Sequence, residues 1–313
     1  MKNIFFLIWS LSSISAIAQN NIYWQQHVDY TMDIEMNVEN YQFDGKQKLV
    51  YTNNSPDDLN EVFYHVQFNA FQPGSEMDMR LQNIVDPDGR MVNNNGTKES
   101  PIYESRITKL KPNEIGFQKI NSLIQNGKSV KYELIGTILK VTLNEPILSG
   151  KKATFEMEFK GQVPVQIRRS GRNNKEGVAL SMAQWYPKMA EYDIEGWHAN
   201  EYIAREFYGV WGDFDVTIHI DKNYTIGGTG YLQNPQEVGH GYEDSSKKVK
   251  TPKGEKLTWH FKAPNVHDFT WAADNEYIHD TKQVPNGATL HFLYKNKPNT
   301  IENWKKMEDE ALN

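Results

Sequence analysis

The chain has 313 residues, 38% hydrophobic and 12% aromatic, with 34 basic against 40 acidic side chains and a formal net charge of −6. That length suits two domains or one large all-β domain, and the charge balance offers no basic stripe for nucleic acid. Cysteine is absent, which excludes disulfides, a lipidated cysteine, thiol catalysis and Cys-ligated metals.

In chain order, the first element is MKN followed by IFFLIWSL and SSISAIAQ, with small residues at Ala16 and Ala18. A positive start, a short apolar core and small residues before a cleavage point define a signal peptide over 1–18. Export to a periplasm or the outside is expected, with Gln19 as the new N-terminus. No later run reaches roughly eighteen apolar residues, so the mature chain has no transmembrane segment in this reading.

Period-two alternation follows. In VDYTMDIEMNVE (28–39), Val28, Tyr30, Met32, Ile34, Met36 and Val38 share one face of a half-buried strand. Phe43, Leu49 and Tyr51 mark a second strand running to Asn53, NSPDD (54–58) is a turn, and EVFYHVQFNAF (61–71) is an aromatic-rich third strand. Residues 86–101 read as a long loop or hairpin tip. ILKVTLNEPIL (138–148) and ATFEMEFKG (153–161) read as one hairpin across an SGKK turn, with Val141, Leu143, Phe155, Met157 and Phe159 inward. The basic RRSGRNNK (168–175) contains glycine and reads as a solvated loop.

After an irregular stretch at 180–198 come FDVTIHI (214–220), YTIGGTGYL (224–232), LTWHFKAP (257–264), DFTWAAD (268–274) and ATLHFLYKN (288–296). The end changes period: Asn299 and Glu302 form a capping box, and Ile301, Trp304, Met307, Ala311 and Leu312 recur at helical spacing. Such a helix needs something to bury its apolar face, and Asn313 is expected to be a boundary inside a larger protein. The fold class expected is mainly β: an antiparallel, sandwich-like or saddle-shaped arrangement with a short C-terminal helix.

Catalytic signatures are missing. The nine histidines include no HExxH pair. His219, His260 and His291 sit in alternating strands, and His198, His240, His267 and His279 are scattered over loops, so no metal ligands are assigned. There is no GxSxG elbow, and IGGTG (226–230) lacks the helix of a dinucleotide site, so its glycines read as a bend or bulge. Glu191, Asp193, Glu195 and Glu201 cluster near the irregular stretch. Trp185, Tyr186, Trp197, Tyr202, Phe207, Tyr208 and Trp211 fall within 27 residues, a density that suits either a peptide or carbohydrate groove or a core beneath a long loop.

SMAQWYPKMAEYDIEGWH, EYIAREFYGVWGDFDVTIHI, YTIGGTGYL and FKAPNVHDFTWAAD, in this order, together with YTMDIEMNVENYQFDGKQKLVYTNNSPDDLNEVFYHV, resemble the N-terminal domain of the aminopeptidase N-like zinc metallopeptidases. The likeness is nearer to exported members from Bacteroidetes-type bacteria and spans roughly residues 24–295. It implies a saddle-like β domain over 19–297, with 298–313 leading toward a catalytic domain. In the family that domain carries a GxMEN-type segment, HExxH and a later Glu; none is in this sequence, so no catalytic residue is assigned and zinc is expected only in the full-length protein.

The resemblance also implies that Gln184 reaches toward the amine of a peptide substrate, with Met182, Trp185 and Tyr186 shaping or buttressing the pocket, Pro187 stiffening it, and Glu201 and Arg205 positioning the loop. The function implied is the substrate-lining part of an enzyme that removes N-terminal residues from peptides, inactive alone. The alternative is a non-catalytic exported module that binds peptides or glycans.

Overall fold

The computed structural model describes residues 23–85, 87–203, 208–285 and 287–312. The N-terminal segment read as a signal peptide lies outside them, as do Arg205 and Phe207. The longer strands are β1 (His27–Asn37), β2 (Gln42–Thr52), β3 (Leu59–His65), β4 (Phe117–Gln125), β5 (Ile138–Ile147), β6 (Lys152–Gln162), β7 (Leu180–Met182), β8 (Gly212–Asp221), β9 (Lys256–Val266), β10 (Trp271–Asp274), β11 (Tyr277–Gln283) and β12 (Thr289–Lys295). The longer helices are α1 (Glu76–Asn83) and α2 (Ile301–Glu310). No helix among the described residues is long and apolar enough to cross a membrane.

The largest sheet runs Tyr231–Leu232, β9, β8, β1, β2, β6, β4, Lys128–Ser129. Every neighbouring pair in it is antiparallel except β1 with β8, which is parallel in the register Val28↔Gly212 and Asp29↔Asp213. Strict alternation places Val28, Tyr30, Met32, Ile34 and Met36 of β1 inward, as expected for a strand with one wet face.

The inner face is covered by two four-stranded sheets. One is Lys188–Met189, β3, β5, Lys131–Ile135; the other is Gly171–Arg172, β7, β10, Thr225–Gly228. Tyr64 of the first meets Phe155 edge-on at 6.3 Å, and a Cβ on Gly228 of the second would lie 3.4 Å from the Phe261 ring. One buried apolar cluster joins all three sheets. The sandwich reading therefore holds.

Two glycines are fixed by this packing. Gly45 faces Phe159 and Gly161 faces Phe43 across β2 and β6. A Cβ at either would approach the opposing ring to 2.3 or 2.1 Å, closer than any real contact.

Several local expectations are corrected. The segments 138–148 and 153–161 are strands but not a hairpin: β5 pairs with β3 and Lys131–Ile135, whereas β6 pairs with β2 and β4. Consecutive strands joined by a tight turn commonly pair, yet here Gly150 adopts φ +70° and the chain crosses between layers. The third strand ends at His65, and Gln67–Ala70 coil into a 3-10 turn. The helix α1 carries no strong periodicity and rests on its cap, Ser75, whose hydroxyl accepts from the Asp78 amide at 3.2 Å.

At the other end, α2 begins at Ile301 after Thr300, with no side-chain cap, so the Asn299–Glu302 capping box does not form. The helix docks on the β11–β12 hairpin through Trp304, stacked on Tyr294 at 5.3 Å, and through buried Glu308. Lys305 joins Asp280, and Lys282 joins Asp309. Met307 stays 53% exposed.

Candidate functional site

The irregular stretch starts as β7, whose Met182 pairs with Trp271 of β10. Ser170 Oγ then donates to the Ala183 carbonyl at 2.5 Å, and the chain turns sharply. Gln184 takes the turn at φ +60°, a left-handed conformation that an unbranched non-glycine residue adopts at a cost of about 1 kcal/mol.

Gln184 is only 2% exposed, and neither its Nε2 nor its Oε1 has a hydrogen-bond partner among the described residues. A buried amide without partners is unusual in a folded protein, since each orphaned group forfeits its hydration. Other buried atoms are without a hydrogen-bond partner among the described residues, including Trp271 Nε1, on the strand paired with Met182, and Asp268 Oδ2, but in Gln184 both amide atoms are.

The next residues anchor the stretch in the core. Trp185 is fully buried, donates from Nε1 to the Phe269 carbonyl at 3.0 Å, and packs against Phe43, Tyr186 and Trp271 with centroids 5.9, 5.2 and 6.1 Å away. Tyr186 OH donates to Asp268 Oδ1 at 2.9 Å; burial first, and then the Asp268 charge, push that phenol well above its ordinary pKa. The Pro187 carbonyl accepts from Gln47 Nε2 at 2.9 Å, and the Met189 amide donates to Tyr30 OH at 2.9 Å.

Lys188 is buried as well. Its Nζ donates to the His267 carbonyl at 2.6 Å and lies 3.5 Å from Asp268 Oδ1. Burial lowers the ammonium pKa, with Asp268 opposing that shift.

Glu191 and Asp193 gather beside His198, whose Nε2 is 2.9 Å from Asp193 Oδ1. Burial lifts the Glu191 carboxyl to about pKa 7, and the Asp193 charge adds to this. A folded pKa raised from the ordinary 4.5 contributes stability in full below 4.5 and loses it as the pH rises through about 7. His65 runs the other way: burial, then Lys188, lower its pKa from 6.5 to about 4, so its contribution holds above 6.5 and is lost as the pH falls through about 4. Glu191→Gln is therefore expected to stand level with the wild type below the ordinary 4.5, to gain on it as the pH rises to about 7, and to keep a constant lead above that. Urea midpoints across that range check this; parallel curves would contradict it.

Of the residues the resemblance singles out, Met182 reaches a surface cleft. Ser181, Met182 and Ala183 form one wall of an open cleft of about 1050 Å³, which Phe261, Trp271 and Tyr242 also line. Gln184 turns inward directly behind that wall, and Trp185 and Tyr186 lie deeper in the core. The aromatic set does not form one groove. Trp197 packs on Tyr192 at 5.1 Å, Tyr202 belongs to a separate cluster with Phe71, and Tyr208 and Trp211 are exposed. The four carboxylates also separate: Glu195 is exposed, and Glu201 rests where a Cβ on Gly136 would fall. Sequence reasoning missed Lys188, Asp268 and Trp271 as partners of this stretch, because nothing local signals that 268–271 folds back on 182–188.

No protein-family model matches the chain, and no curated protein matches it. Among solved structures, a mutant M1 zinc metallopeptidase from Deinococcus radiodurans is similar at 12% identity and TM-score 0.43, over 85% of this chain and 46% of that one. The unmutated enzyme of that organism gives 11% and 0.42, and the mutant bound to a Tyr-Ser-Ala substrate gives 11% and 0.41, with the same coverages. The chain thus spans less than half the length of these enzymes. Overlaps this low establish no family.

The zinc ligands implied by the sequence resemblance are not in this chain, which has no HExxH. Residues 184–188 offer in their place an amide, aromatic rings and a buried lysine, which do not make a zinc site. No step through a metal follows from these residues.

Proposed function

We propose that this chain is the substrate-lining β domain of a zinc-dependent aminopeptidase acting on peptides. The reading rests on the ordered motifs of the sequence, and the structural observation that carries it is Gln184. A residue held in a left-handed turn, buried, with both amide atoms unpartnered, is poor design for folding alone. It is reasonable for a group that waits for a ligand. Oε1 can accept from an ammonium while Nε2 donates to a neighbouring carbonyl, and Trp185 and Tyr186 hold the turn in place from the core side.

In this reading the metal, its activated water and the general base belong to a separate catalytic domain of the enzyme, and the chain alone binds and orients but does not cleave. Export belongs to the same proposal and rests on the N-terminal segment. Reading the frame downstream of codon 313 tests the assignment. An open frame that runs on into HExxH supports it; a stop codon, with no neighbouring gene encoding such a domain, removes it.

The alternative, an exported module that binds peptides or glycans without catalysis, is favoured by one observation. The cleft beside Met182 is lined by Phe261, Tyr242 and Trp271, the flat apolar area that suits a ring or an extended peptide.

A further inference from the structure

The parallel pair β1/β8 carries a second feature, on the solvent face of the large sheet. His27 and Asp29, two apart on β1, point outward together, and Asp213 of β8 stands directly opposite Asp29. His27 Nε2 lies 3.3 Å from Asp29 Oδ1 and 3.6 Å from Asp213 Oδ2, and one donor atom from each residue falls within 4.8 Å of the others. Ligands at about 2.0–2.1 Å from a tetrahedral ion are themselves about 3.3–3.4 Å apart. The imidazole is thus already at coordination spacing from both carboxylates.

Like charges directly opposite one another destabilise a sheet. Glu35 and Asp44 also face each other, but each has its own lysine, Lys256 and Lys160. Asp215, nearby on β8, has His260 and Lys262. Asp29 and Asp213 have no Lys or Arg partner among the described residues, and share only His27. Of these facing acidic groups, theirs is the one left short of positive charge.

The backbone holds the arrangement. Gly212 lets β8 approach so closely that a Cβ there would lie 1.9 Å from the Val28 carbonyl oxygen. A register shift sets two residues of β9, Pro264 and Asn265, opposite Asp213 alone, so the bulge lies in β9. The Asn265 amide donates to Asp213 Oδ1 at 2.7 Å, which leaves Oδ2 turned toward His27.

We propose that His27, Asp29 and Asp213 bind one first-row divalent cation of the zinc or manganese class. One imidazole and two carboxylates suit such borderline ions, and water fills the remaining positions. The ion neutralises the facing carboxylates and clamps β1 to β8, a structural role separate from the Gln184 stretch on the opposite face of the sheet.

The test is calorimetric titration of the untagged, metal-free chain with Zn²⁺ alone and with Mn²⁺ alone. One saturable site per chain is expected, weakened at least about tenfold in His27→Ala and in Asp213→Asn, with a Zn²⁺-dependent rise in melting midpoint seen in the wild type only. In metal-free buffer Asp213→Asn should melt no lower than the wild type, because it removes a facing charge while keeping the side chain's shape. Absence of any site tighter than about a millimolar, or equal binding by the wild type and both variants, overturns the proposal.

Discussion

Trp185→Ala is expected to destabilise the chain by about 3–5 kcal/mol, the range for truncating a large buried aromatic. The indole touches three aromatic rings from two layers and donates to the Phe269 carbonyl, so the substitution opens a cavity between the sheets and orphans that acceptor. Set against a usual stability of about 5–15 kcal/mol, such a loss leaves a barely folded protein. Denaturant unfolding of the purified variant measures it, or the variant accumulates insoluble. A fully stable Trp185→Ala protein would mean that the ring is not core and that the stretch is a free loop.

Gln184→Met is the second, and its sign is opposite. Methionine matches glutamine in length and removes both unpartnered amide atoms without opening a void. The chain should gain about 1–3 kcal/mol, the cost of one unsatisfied buried polar group. In a protein carrying the peptidase motifs downstream, the same change should lower kcat/KM for peptides with a free amine roughly tenfold to a hundredfold, the value of a charge-assisted hydrogen bond. Stability gained together with function lost is the signature of a site maintained against folding preference. Loss of stability in Gln184→Met would show that the amide finds partners in the folded protein, and the functional proposal would lose its main support.

Much of the fold is legible in the sequence because one wet face and one dry face impose alternation. Val28 to Met36, Phe43 to Tyr51, Phe214 to Ile220 and Leu257 to Ala263 all fall inward as their period requires. Pairing is not legible in the same way. Alternation says which face of a strand is buried but not which strand lies beside it. Hence β5 and β6, neighbours in sequence and similar in pattern, read as partners although they belong to different layers. The terminal helix is legible from Trp304, but its cap is not, since the local geometry at Thr300 follows from docking on Tyr294.

The candidate site divides along the same line. Gln184 and its neighbours stand out through ordered motifs, yet the properties that give Gln184 meaning, a positive φ and two unpartnered atoms, depend on the turn and on what surrounds it. The Asp268–Tyr186–Lys188 contacts join residues some eighty positions apart. His27, Asp29 and Asp213 come together only through the parallel register of β1 and β8, and a chain read as wholly antiparallel gives no reason to put them side by side.

The most direct measurement is the rate at which the purified chain, with and without added Zn²⁺, releases the chromophore from aminoacyl-p-nitroanilides. The predicted rate is indistinguishable from buffer under both conditions, even if Zn²⁺ binds at His27, Asp29 and Asp213. Chelator-sensitive turnover by this chain alone would contradict the account, because it would place the chemistry among residues whose proposed roles are only lining and support.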